Sequence, residues 1–137
     1  YAAAGAWGAS AWAIAWQDGR DGNDEIYFQE VGADGVPSGP NVRVTSSAGI
    51  SWMPVIAEAG ARTAIAFMDN RSGSLQVWLA MVGPGGAEIR DEVAASAAPE
   101  MAGVPTLSWT GSAIGMTWTE SEASSADIMF AVLGVCP

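Results

Sequence analysis

A chain of 137 residues, half of them apolar, has material for one ordinary core and too little polarity for a disordered segment. Its net charge of -10, with five Arg as the only cations, repels phosphate backbones and anionic lipid and argues against nucleic-acid and membrane-surface partners. The lack of His, with Cys136 the single cysteine, argues against a Cys/His zinc site, a Ser-His-Asp triad or an internal disulfide.

In chain order, Tyr1 to Gly8 reads as a cropped first strand, because a shift of 51 residues lays it on Trp52 to Ala59 and then on Gly103 to Thr110. Pro54 and Pro105 are equivalent there, and a proline can open a strand without costing a ladder hydrogen bond. No leader of basic and then apolar residues precedes this strand, so a signal segment, if there was one, is expected to have been removed. A second strand is expected from about Ala11 to Trp16, with Trp12, Ile14 and Trp16 on one face and Ala11, Ala13 and Ala15 on the other. Its copies carry Thr63, Ile65 and Phe67, then Ile114, Met116 and Trp118. A bulky face opposite a small one predicts a strand buried on both sides, in sheets that nest on each other.

The third strand is expected over Glu25 to Val31, with copies at Gln76 to Val82 and Asp127 to Leu133. The loop before it, Gln17 to Asp24, has Gly, Asn and Asp turn chemistry. A short, more polar fourth strand is expected over Asn41 to Thr45 and again near Glu92 to Ala95, suited to an outer edge. No apolar run reaches 18 residues, so no transmembrane helix is expected.

The repeat is clearest in Trp16 to Phe28, which returns without gaps at Phe67 to Leu79 and at Trp118 to Phe130. A fixed period in this range signals a unit that buries its apolar face only by stacking on its neighbours. The count is about 2.7 units, with boundaries near residues 1–46, 47–97 and 98–137, roughly eleven strands in one repeat domain, the last unit lacking its outer strand. Four short antiparallel strands per unit, inner ones apolar on both faces, predict an all-β fold of the β-propeller type. The β-trefoil, with the same count of three times four strands, is the alternative.

Asp18, Arg20, Gly22, Glu25, Ile26, Tyr27, Asp34, Gly35, Thr45 and Pro54 make the first unit resemble a blade of the TolB-type propellers. The second unit keeps Asp69, Arg71, Gly73, Gly86 and Pro105, while the third keeps an acid at Glu120 but has Glu122 in the arginine's place. The resemblance implies a non-catalytic interaction scaffold in a secreted, periplasmic or cell-surface setting. Three blades do not close a ring, so a protein partner, a second copy making about six blades, or further sequence is expected to cover the open faces.

The expected roles of the blade-turn residues Asp18, Arg20, Gly22, Asp69, Arg71, Gly73 and Glu120 are structural, with Asp18 capping turn amides and pairing with Arg20. The loop from Asp18 to Glu25 invites a calcium reading, but Arg20 sits where a second ligand belongs, and no metal or cofactor is expected. Of seven Trp, Trp12, Trp16, Trp78 and Trp118 fall at core positions, leaving Trp7, Trp52 and Trp109 as candidates for stacking on a glycan, the lectin alternative. Asp24 with Glu25 and Glu120 with Glu122 are the close acidic sets, both placed in solvated turns, so no catalytic residue is expected. Carboxylates paired in space rather than in sequence would make a hydrolase, the second alternative.

Overall fold

The computed structural model describes residues 2–98 and 100–134. Tyr1, the start of the expected first strand, and Cys136 lie outside them. The described residues are all-β, with one short 3-10 turn among them at Pro84–Gly86. Strands β1 (Ala3–Trp7), β2 (Ala11–Asp18), β3 (Glu25–Gly32) and β4 (Val42–Arg43) form the first antiparallel sheet in chain order. Strands β5 (Ser51–Ala59), β6 (Arg62–Asp69), β7 (Gln76–Val82) and β8 (Ile89–Ala94) form the second. The third holds β9 (Met101–Trp109), β10 (Ala113–Glu122) and β11 (Ser125–Gly134). Each is a meander of neighbours, and none closes on itself.

The 51-residue offset reappears in the register. β2, β6 and β10 begin at Ala11, Arg62 and Ala113, and β3 and β7 begin at Glu25 and Gln76. β11 starts two residues early because the third unit replaces the six-residue loop with a tight hairpin, Glu122 opposite Ser125. Its turn puts Ala123 at φ 28°. Pro54 and Pro105 do not open strands as expected but lie inside β5 and β9, next to Met53 at φ 53° and Val104 at φ 51°. The pairing skips there, from Trp52 opposite Met68 to Val55 opposite Ala66, and a bulge tolerates a proline that has no N–H to give.

The sheets nest small face on bulky face. Ala13 and Ala15 of β2, with Ile26 and Phe28 beside them on β3, bury against Ile65 and Phe67 of β6 and Val82 of β7. One unit further on, Ala64 and Ala66 of β6, with Val77 and Leu79, bury against Ile114, Met116 and Trp118 of β10. An alanine in the strand middle lets the neighbouring sheet's large side chains sit close to the backbone, and each such side chain buried stabilises the stack by about 1.5–3 kcal/mol. β5 is the pivot against β1, β2 and β3, as β9 is against β5, β6 and β7.

Burial on both faces, expected of every second strand, holds along β6 from Thr63 to Asp69 but not along β2 or β10. Those two belong to the end sheets, and only one face of each meets another sheet. Trp12, expected in the core, is therefore 45% exposed on the outer face of the first sheet, edge-on to Trp7 at 5.1 Å.

Candidate functional site

One end of the stack gathers the turns that follow β2, β6 and β10. Asp18, at the end of β2, accepts the Arg20 amide at 3.0 Å, Arg20 Nε at 2.9 Å and Trp16 Nε1 at 3.0 Å. Hydrogen bonds from Arg20, then from Trp16, hold its carboxyl well below the usual range. The guanidinium lies over the Tyr27 ring at 4.5 Å, and Nη1 donates to Asn41 Oδ1 at 3.1 Å. The second unit repeats the staple: Asp69 accepts the Arg71 amide and Arg71 Nη2, both at 2.6 Å, and the guanidinium stacks on Trp78 at 4.4 Å. Gly22 and Gly73, at φ 109° and 97°, turn both loops through conformations that a side chain would strain. In the third unit Trp118 Nε1 donates to Glu120 at 2.8 Å, as Trp16 does to Asp18, but Glu122 brings no cation.

Beneath these staples lies a buried polar seam. Glu25, placed in a solvated turn by its sequence context, instead opens β3 and is fully buried. It accepts Arg43 Nη2 at 2.8 Å, Asn23 Nδ2 at 3.1 Å, the Ser47 amide at 3.2 Å and the Thr45 hydroxyl. Thr45 Oγ1 in turn accepts the Ile26 amide at 2.8 Å, closing the sheet's outer corner. Across the seam Ser51 Oγ, also fully buried, donates to Asp69 Oδ2 at 2.6 Å and lies 3.4 Å from Glu25 Oε2. Burial alone would raise the Asp69 carboxyl, but the hydrogen bonds from Arg71 and Ser51 outweigh it and hold it below its ordinary value. Arg71 also binds Glu92, which burial nevertheless pushes up.

The second unit builds the same corner without charge. Gln76 takes the place of Glu25, accepting Ser96 Oγ at 2.8 Å and the Ala98 amide at 3.0 Å, while Ser96 Oγ accepts the Val77 amide at 2.8 Å. The residue equivalent to Ser51 is then Ala102, fully buried and needing no hydroxyl. Sequence reasoning missed the seam because its partners lie about 20 residues apart within a sheet and across two sheets. The register offers one signal: Glu25 and Gln76 share a place, and so do Thr45 and Ser96.

At the other end of the stack, a cleft of about 210 Å³ opens between the first two sheets, with Ser10, Trp12, Glu30, Glu58 and Thr63 in its wall. Burial pushes the Glu58 carboxyl up, against a hydrogen bond of 2.9 Å from Thr63 Oγ1. Glu30 accepts the Gly85 amide at 2.8 Å. This acid pair was also missed, although Glu58 stands where the other units carry Trp7 and Trp109.

The three glycan-stacking candidates are not brought together. Trp7 is exposed on the outer face of the first sheet, and Trp109 packs against the core between the second and third sheets. Trp52 lies in β5, half-buried opposite Met68, at the end of that strand next to the staples. In the loop from Asp18 to Glu25, whose composition invites calcium, the carboxylates are engaged within the chain. Asp24 accepts Gln17 Nε2 at 2.8 Å, and Asp21 accepts Arg43 Nη1 at 3.2 Å and the Tyr27 hydroxyl. Among the described residues no three His, Cys, Asp or Glu converge as metal ligands. No family model matches the chain, and neither a curated protein nor a solved structure matches it.

Proposed function

We propose that this chain is a non-catalytic binding module of the β-propeller kind, working outside the cytoplasm and meeting a protein partner through the loops at its stapled end. The supporting observation is the inward commitment of that end: Asp18, Asp21, Asp24, Glu25 and Asp69 are each bound by donors of the same chain. Groups spent in this way rigidify a surface, and a rigid surface binds with less ordering cost than a mobile one. Chain-order meanders stacked small face on bulky face support the propeller reading over the trefoil.

The test uses the chain on beads against the secreted fraction of the cells that make it, alongside variants altered at the exposed loop positions, Arg20→Ala and Ser72→Arg. A protein retained by the parent and released by either variant is expected. Turnover of chromogenic glycosides lost in Glu58→Gln would overturn the reading in favour of a hydrolase. Glycan binding lost in Trp52→Ala would overturn it in favour of a lectin.

A further inference from the structure

The two end faces of the stack are spare copies of faces that are buried inside it. On the third sheet's outer face stand Ile128 and Phe130, 75% and 66% exposed. Their equivalents 102 residues earlier, Ile26 and Phe28, are 0% and 1% exposed in the seam between the first and second sheets. Beside Phe130, Gly115 takes the place of Ala13 and Ala64, the small residues that admit a neighbour's bulk. On the first sheet's outer face, Trp12, Ile14 and Trp16 stand where the second sheet has Thr63, Ile65 and Phe67 and the third has Ile114, Met116 and Trp118. All six of those are buried.

We infer that the outer face of the third sheet receives the outer face of the first sheet of a second copy, head to tail. This rests on the propeller reading and names the partner that completes it. The contact would be a third instance of a seam the chain already builds twice: a small-residue strand flanked by large apolar residues, Ile26 and Phe28 in one case and Val77 and Leu79 in the other, facing a strand of large side chains. The two faces are different surfaces, so the contact is heterologous, and two copies close a ring of six sheets through two identical seams. The exposed Ile128, Phe130 and Val132 lie together on one strand, and such an apolar surface left to water also invites association.

The experiment is the solution mass by light scattering of the parent chain, of Phe130→Asp and of Trp12→Asp, then of the two variants mixed. Both substituted side chains are exposed in the single chain, so each variant is expected to fold, which circular dichroism checks. The parent is expected at about 28 kDa, twice the 14.0 kDa of one chain, with each variant falling to half that mass. The mixture is expected to recover a two-chain species, because each variant keeps the face that the other has lost. A parent at one chain mass, a mass climbing past two chains with concentration, or a mixture that stays at one chain mass overturns the inference. A two-chain parent unaffected by one of the substitutions also overturns it, since the contact would then join like faces. The bead assay separates this from the proposed function, because a single-chain Phe130→Asp variant keeps its loop end and still retains the partner if only the assembly is wrong.

Discussion

Ser51→Ala removes one hydroxyl from the seam between the first and second sheets. That hydroxyl is fully buried, donates to Asp69 at 2.6 Å and stands 3.4 Å from Glu25, so its loss brings two buried carboxylates together with nothing between them. A hydrogen bond to a charged group contributes about 1.5–3 kcal/mol, and the buried acceptor left behind gets no water in exchange. With an unfolding entropy of about 2.1 cal/mol/K per residue, a chain of this length should lose about 5–10 °C in melting temperature. Thermal unfolding followed by circular dichroism reads this directly. The same substitution in a Glu25→Gln background should cost less, because Gln76 beside Ala102 shows that a neutral amide needs no hydroxyl at that place. A Ser51→Ala melting temperature within about 1 °C of the parent, or an equal loss in both backgrounds, would refute the reasoning.

The two staples should respond unequally to Asp→Ala. Asp69→Ala leaves Arg71 half-buried beside Glu92 and should destabilise by about 3 kcal/mol or more in urea titration, while Asp18→Ala, on a solvated pair, should move the midpoint far less. Acid should act through Asp69 in a defined direction. Its folded-state carboxyl lies below the unfolded value, so its contribution is present above the unfolded pKa of 3.8 and is lost as pH falls through the folded value. Glu58 has the opposite sign, since burial raises its carboxyl in the folded state: its protonated form favours folding, and that benefit disappears as pH rises through the raised value. Glu58→Gln should therefore raise the melting temperature at pH 7 and leave it nearly unchanged at pH 4; a loss at pH 7 would sink this account.

The strand plan was readable because a fixed 51-residue offset lets each unit check the others. β7 runs from Gln76 to Val82 as the pattern predicts, and β3 misses by a single residue. Alternation assigns residues to faces, but it does not say whether another sheet covers a face. That is why Trp12 reads as core and stands in solvent. Buried charge is harder to see. Glu25 beside Asp24 and a Gly-rich turn looks solvated, and only the folded chain brings Arg43, Thr45 and Ser51 around it. The early start of β11 was not legible either, because the pairing runs on to Glu122 opposite Ser125, a register that the 51-residue offset does not carry.

The difference between Glu25 and Gln76 gives the stack two unlike joints. The seam joining the first two sheets sets two fully buried carboxylates, Glu25 and Asp69, around the Ser51 hydroxyl, whereas its counterpart between the second and third relies on the Gln76 amide beside Ala102. Acid strong enough to protonate Asp69, whose carboxyl lies below its ordinary value, should therefore loosen the first joint before the second. Amide exchange would quicken first in β1 to β4, while the strands around Val77 and Ile114 stay protected. A repeat protein that could have melted as a single unit would in this way acquire a fraying point.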